Sequence, residues 1–140
     1  MNILIVGCGR VGAALARDLE NEGHEISILD KSSESFRLLD SFDHYTFGGT
    51  ATTGDLTDLT ALTRAGIQNC DAVAVVGCSD AENLMTAQIA QKTFGKTNVI
   101  CRVSQTELAT IYQKKYNLTT ICPTVLTVQA AFETLHTQAE

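Results

Sequence analysis

The chain has 140 residues, 44% of them apolar, which suffices for one domain with a buried core and is too few for two of ordinary size. Sixteen acidic against ten basic side chains leave a net charge of −6, so no overall field draws the protein to nucleic acid or anionic lipid. The longest apolar runs, Ile3 to Val6 and Ala72 to Val76, fall far short of a membrane span, and Gly7 interrupts the first too early for a secretory signal, so a cytoplasmic protein is expected.

The first strand is predicted over Asn2 to Val6, an apolar run ahead of a glycine loop, and residues 10–22 follow it with helical spacing. Glu25 to Asp30 predicts a second strand and residues 32–41 a second helix, capped by Ser32 or Ser33. Thr50 to Thr53, entered through Gly48 and Gly49, is threonine-rich and suits the edge of a sheet; a helix is predicted over 57–65. Ala72 to Gly77 and Asn98 to Val103 read as the fourth and fifth strands, followed by helices over 80–94 and 104–116. Asp80 is expected to cap the first of these helices, and Ser104 with Glu107 to form a capping box on the second. Thr119 to Cys122 gives a sixth strand, and Pro123 opens a last helix over 124–137. Gly23, Gly66 and Gly95 stand where helices should stop.

Mostly apolar strands that alternate with helices imply a parallel sheet covered on both faces. The expected fold class is α/β, a Rossmann-type doubly wound parallel six-stranded sheet in the order 3-2-1-4-5-6, with its ligand crevice beside the first strand at the carboxyl ends.

The strongest local signal is Gly7-Cys8-Gly9-Arg10-Val11-Gly12, which leaves the first strand and opens an amphipathic helix. In that setting Gly7 permits the tight turn, Gly9 lets a diphosphate approach the backbone, and Gly12 lets the helix pack closely on the strand. Free amides at the helix start then face the anion. Asp30 ends the second strand 18 residues beyond Gly12, where its carboxylate can accept hydrogen bonds from a ribose and repel a 2′-phosphate. This disfavours NADP and leaves NAD(H), ATP, ADP and AMP open. Arg10 either reaches a phosphate or is a solvated helix-face arginine. Gly54-Asp55 and Gly77-Cys78-Ser79-Asp80 follow the third and fourth strands and border the same crevice; Asp55 either contacts adenine or caps the next helix. Arg102, a charge at the end of an apolar run, calls for a partner, either a phosphate or a carboxylate.

Five cysteines (Cys8, Cys70, Cys78, Cys101 and Cys122) form no CxxC pair, and an odd number cannot all pair within one chain. A reducing compartment fits, and the three in or beside apolar strand-like runs are read as small hydrophobes, although oxidation of Cys8, inside the glycine loop, would obstruct a bound phosphate. His24, His44 and His136 have no partner at metal-ligand spacing, so no metal site is expected.

The order of these motifs resembles the amino-terminal lobe of the RCK domain, also called KTN or TrkA-N. The resemblance covers nearly the whole chain. It rests on Met1-Asn2-Ile3 through Gly12, Gly23-His24-Glu25 leading to Asp30-Lys31, and Gly54-Asp55-Leu56-Thr57-Asp58 followed by Ala65-Gly66-Ile67. Cys70-Asp71-Ala72-Val73, Asp80-Ala81-Glu82-Asn83-Leu84 and Arg102-Val103 extend it. Leu56 departs from the family, which usually has a small residue there.

The resemblance implies binding of NAD(H) or ATP/ADP and assembly into homodimers or octameric rings. It also implies control of a membrane-embedded potassium transporter or channel, reached from the inner face of the plasma membrane. The nucleotide-binding set it implies is Gly7, Cys8, Gly9, Arg10, Val11, Gly12, Asp30, Lys31, Asp55, Leu56, Gly77, Cys78 and Arg102. It further divides the chain into a nucleotide-binding domain over 1–123 and a crossover helix over 124–140, whose Val125, Val128, Ala131, Phe132 and Leu135 form an apolar face. The alternative is the NAD-binding domain of an oxidoreductase. It is disfavoured because six βα units use the whole length and leave no substrate domain and no evident acid–base residue.

Overall fold

Alternation of apolar strands and helices produces six parallel strands in a computed structural model, which describes residues 1–139. The strands are β1 (Asn2–Val6), β2 (Glu25–Asp30), β3 (Thr50–Thr53), β4 (Ala72–Val75), β5 (Val99–Arg102) and β6 (Thr119–Ile121), arranged β3-β2-β1-β4-β5-β6. Ile3 of β1 lies opposite Ile26 of β2 on one side and Ala72 of β4 on the other, so β1 is central and the sheet reverses direction of growth beside it. Successive β1 side chains point to opposite faces. Leu4 and Val6 enter a core with Leu62, Leu84 and Val99, whereas Ile3 and Ile5 enter a second core with Ala13, Ala16 and Leu39. Burial on both sides is why β1 carries no polar alternation, whereas the edge strands β3 and β6 are threonine-rich and largely exposed.

The helices are α1 (Arg10–Asn21), α2 (Leu59–Arg64), α3 (Asp80–Lys92), α4 (Thr106–Tyr116) and α5 (Pro123–Ala139). Two 3₁₀ segments, Ser33–Asp40 and Ile67–Asn69, complete the connections. No helix is long and apolar enough to cross a membrane among the described residues. The last residue of the predicted 124–140 segment, Glu140, lies outside the described residues.

The predicted elements are present, and their differences from expectation are local. Residues 32–41, predicted as a helix, form the tighter 3₁₀ segment, and the Ser32 side chain caps nothing there. Ser79, not Asp80, caps α3, its hydroxyl accepting the Glu82 N–H at 3.3 Å. Asp80 instead turns to the next helix start, where its carboxylate accepts the Ser104 and Gln105 amides at 2.8 and 3.1 Å. That contact replaces the expected Ser104–Glu107 box; α4 begins at Thr106 and Gln105 gives it no side-chain cap. Asp58 caps α2 by accepting the Ala61 amide at 3.0 Å, and α4 ends at Asn117, in the left-handed region with φ +53°.

Helix α5 is unlike the others, since none of its residues is buried. Val125, Leu126, Val128, Phe132 and Leu135 are all exposed. At its root the Cys122 thiol lies 3.8 Å from the Thr106 hydroxyl and donates to the Ser104 carbonyl at 3.6 Å, which ties α5 to the start of α4.

Candidate functional site

The reversal beside β1 opens a cleft of about 380 Å³ at the carboxyl ends of the central strands. Its floor is the turn from β1 into α1. Gly7 has φ +106° and its missing side chain leaves room for Gly77; a Cβ would stand 2.6 Å from the Gly77 nitrogen. Gly12 is pressed against the same turn, where a Cβ would come within 2.0 Å of the Gly7 carbonyl oxygen. Those two glycines are required by packing. Gly9 differs, for a Cβ there would meet nothing within 4 Å, so its backbone faces open space. No side chain caps α1 and no acidic residue lies in its first turn. The first amides of a helix have no partner within it, and here they give the floor a partial positive charge.

Asp30 closes one side. Its carboxylate accepts the Cys8 amide at 3.1 Å and the Ser32 amide at 3.2 Å, fixing the carboxylate next to the glycine turn. Lys31 follows it at the rim and pairs with Glu82 from the first turn of α3. The hydrogen bond to Glu82 is the largest influence raising the Lys31 pKa above the usual lysine value, and the Glu82, Asp55 and Asp30 charges add to it against desolvation.

The opposite wall is held by Asn83, which is 1% exposed. Its carboxamide accepts the Gly77 amide and donates to the Gly77 and Arg102 carbonyls. Behind it Thr86 donates to the Leu56 carbonyl at 2.9 Å, which positions Leu56 in the cleft wall.

Of the sequence-predicted residues, Gly7, Cys8, Gly9, Asp30, Lys31, Leu56, Gly77 and Cys78 line the cleft together. Arg10 and Val11 are exposed on α1 and Gly12 is sealed beneath the turn, so these three do not line it. Asp55 also stays outside, its carboxylate accepting the Thr57 amide and hydroxyl, both at 3.0 Å. Those two bonds lower the Asp55 pKa and make it a turn residue. Arg102 sits at the end of β5, separated from β1 by β4, and contributes its carbonyl to Asn83. Its Nε is buried with no hydrogen-bond partner.

Two lining residues escaped the sequence reading, Ser35 and Glu82, whereas Ser79 lines the cleft as part of the Gly77-Cys78-Ser79-Asp80 run placed at the crevice. The Asp80–Leu84 block contained Glu82 and Asn83, but nothing in the spacing says that one would pair with Lys31 and the other with a glycine turn. The Cys8 thiol is buried and donates to the Ser35 carbonyl at 3.4 Å. Burial, helped by Asp30, pushes its pKa up to about 11, which keeps it protonated and unreactive at neutral pH. Cys78 is the exposed thiol of the lining. No group of three or more His, Cys, Asp or Glu side chains that could hold a metal ion occurs among the described residues.

The family described as the TrkA-N domain matches residues 3–123. A Trk system potassium uptake protein TrkA from Streptomyces coelicolor is 40% identical over 129 residues, which cover 92% of this chain and 54% of that protein. The chain therefore spans about half the length of that relative. Among solved structures, the TrkA-N domain of the inner membrane protein ybaL from Escherichia coli superposes with a TM-score of 0.82 at 16% identity, over 96% of each chain. The Kef CTD from Shewanella denitrificans, in an AMP-bound form, gives 0.79 at 20% identity over 100% of this chain and 83% of that one. At such identities these two structures establish a shared fold.

Proposed function

The chain belongs to the TrkA-N domain family, and on that premise we propose that its cleft binds an adenine nucleotide whose identity regulates a potassium uptake system or channel. The observation that carries the reading is the pairing of uncapped amides at the start of α1, open in front of Gly9, with the Asp30 carboxylate beside them. Amides facing open space suit phosphate oxygens, and an adjacent carboxylate suits a ribose diol. Asp30 repels a 2′-phosphate, so the ligand is NAD(H), ATP or ADP rather than NADP. The volume of the cleft falls within the roughly 300–1,000 Å³ usual for small-molecule sites. AMP in the Kef relative and potassium uptake in the name of the Streptomyces relative support the same reading.

The regulatory step requires that nucleotides differ in affinity for two arrangements of the assembly; equal affinity shifts nothing. The exposed apolar face of α5 supplies the surface for pairing, with residues 1–123 as the nucleotide-binding domain and α5 crossing to a second copy. Homodimers, joined into an octameric ring, then sit in the cytoplasm at the inner face of the membrane through the transporter they control. This reading is preferred to the cofactor half of an oxidoreductase because the family match over residues 3–123 and the potassium-uptake name of the Streptomyces relative support regulation of transport. The test is thermal-shift titration with ATP, ADP, NAD and NADH, with light-scattering mass measured in each. Stabilisation by at least one nucleotide, together with a ligand-dependent mass or shape, is expected. No stabilisation by any of the four at millimolar concentration overturns the reading.

A further inference from the structure

Lys31 and Glu82 meet above the carboxyl end of β1. Lys31 arrives from the end of β2 and Glu82 from α3, which follows β4, so their ion pair joins the two sides of the cleft. Lys31 is the one basic side chain of the lining among the described residues, against the carboxylates of Asp30 and Glu82. The lining thus carries two negative charges and one positive. Glu82 is well fixed for its part: its amide is bound by Ser79, and an acidic side chain in the first turn complements the helix start.

We propose that Glu82 is a specificity-determining residue that competes with ligand phosphates for Lys31, so that the cleft disfavours nucleotides increasingly as their phosphate charge grows. The inference rests on the cleft being a nucleotide site. A phosphate that takes Lys31 must first displace Glu82, and the released carboxylate stays near the ligand as an uncompensated like charge. Each added phosphate strengthens that repulsion where no divalent ion accompanies the nucleotide. Amides at the start of α1 attract phosphate, but they act equally in the presence and absence of Glu82. The effect of Glu82 is therefore separable as a ratio between two proteins for the same ligand.

Adenosine, AMP, ADP and ATP should be titrated calorimetrically in magnesium-free buffer against the parent protein, Glu82→Gln, Lys31→Met and the double variant. Glutamine keeps the size of the side chain, and the pair is partly exposed, with Lys31 at 53% and Glu82 at 31%, so the fold should be retained. Glu82→Gln should leave adenosine unchanged, tighten AMP by about threefold and tighten ATP by about tenfold or more. In the Lys31→Met background the gain for ATP should shrink by at least half, because the contested amine is gone. Equal tightening of all four ligands, or none, overturns the proposal alone. Absence of binding to both parent and variant overturns the reading of the cleft and this proposal with it.

Discussion

Asn83 and Gly77 exchange two hydrogen bonds: the Gly77 amide donates to Asn83 Oδ1 at 3.0 Å, and Asn83 Nδ2 donates to the Gly77 carbonyl at 2.9 Å. The same Nδ2 donates to the Arg102 carbonyl at 3.0 Å. One buried side chain thereby sets the separation of α3, the turn after β4 and the end of β5.

Replacing Asn83 with Ala leaves the buried Gly77 amide and carbonyl without partners, at about 1–3 kcal/mol each, and removes one bond from the part-buried Arg102 carbonyl. A loss of about 3 kcal/mol or more is expected, seen as a fall of roughly 10 °C in Tm for a domain of this size. Asn83→Asp should be no better, because a carboxylate cannot donate to two carbonyls. A Tm within 2 °C of the parent for either variant would show that the clamp is dispensable.

Gly9 and Gly12 should separate binding from folding. Gly9→Ala adds a methyl to open space at an ordinary φ of −98°, so stability should change by less than about 0.5 kcal/mol. If the proposed phosphate site lies there, that methyl blocks its approach and nucleotide affinity should drop about tenfold. Gly12→Ala instead drives a Cβ into the Gly7 carbonyl and should cost about 2–3 kcal/mol in denaturant unfolding. Equal destabilisation by the two changes would contradict this division.

Asp30→Asn keeps an oxygen for the Cys8 amide while removing the charge. Calorimetry should show NAD weakened by about tenfold, as expected when a charged hydrogen bond becomes neutral, and a smaller preference for NAD over NADP. If both affinities match the parent values, the ribose is held elsewhere.

Alkaline pH should expose the buried thiols. Burial, with Asp30 adding, raises the Cys8 pKa to about 11; burial, with Asp80 adding, raises that of Cys101 to about 12, against 9.0 for the unshifted groups. From pH 9 upward the unfolded chain releases protons that the folded one retains, so the stabilisation is complete below pH 9 and is lost as pH rises through 11 to 12. Tm measured from pH 8 to 11 should fall less steeply for Cys8→Ala and Cys101→Ala than for the parent. Parallel curves would mean that these thiols do not contribute.

The sheet was legible in the sequence because strands buried on both faces must be apolar throughout, and because glycines mark the points where backbone meets backbone. That Gly7, Gly9 and Asp30 would meet in one cleft was legible for a related reason, since their placement depends on local geometry at the ends of two adjacent strands. The rest depended on meetings between distant segments. Whether Ser79 or Asp80 caps α3 turns on one residue of phase, and Asp80 found its partners 24 and 25 residues away. Lys31 and Glu82 are each ordinary surface residues until the order of strands brings them together. Arg102 shows the converse: its position at a strand end was read correctly, but it does not line the cleft and meets the wall residue Asn83 only through its carbonyl.

The first turn of α3 has neighbours on two fronts. Ser79 and Glu82 border the cleft, while Asp80, between them, grips the amides that begin α4, and α4 in turn touches Cys122 at the root of α5. The edge of the cleft and the root of the exposed helix are thus joined through two short steps, Asp80 to the start of α4 and Thr106 to Cys122, that run outside the strands.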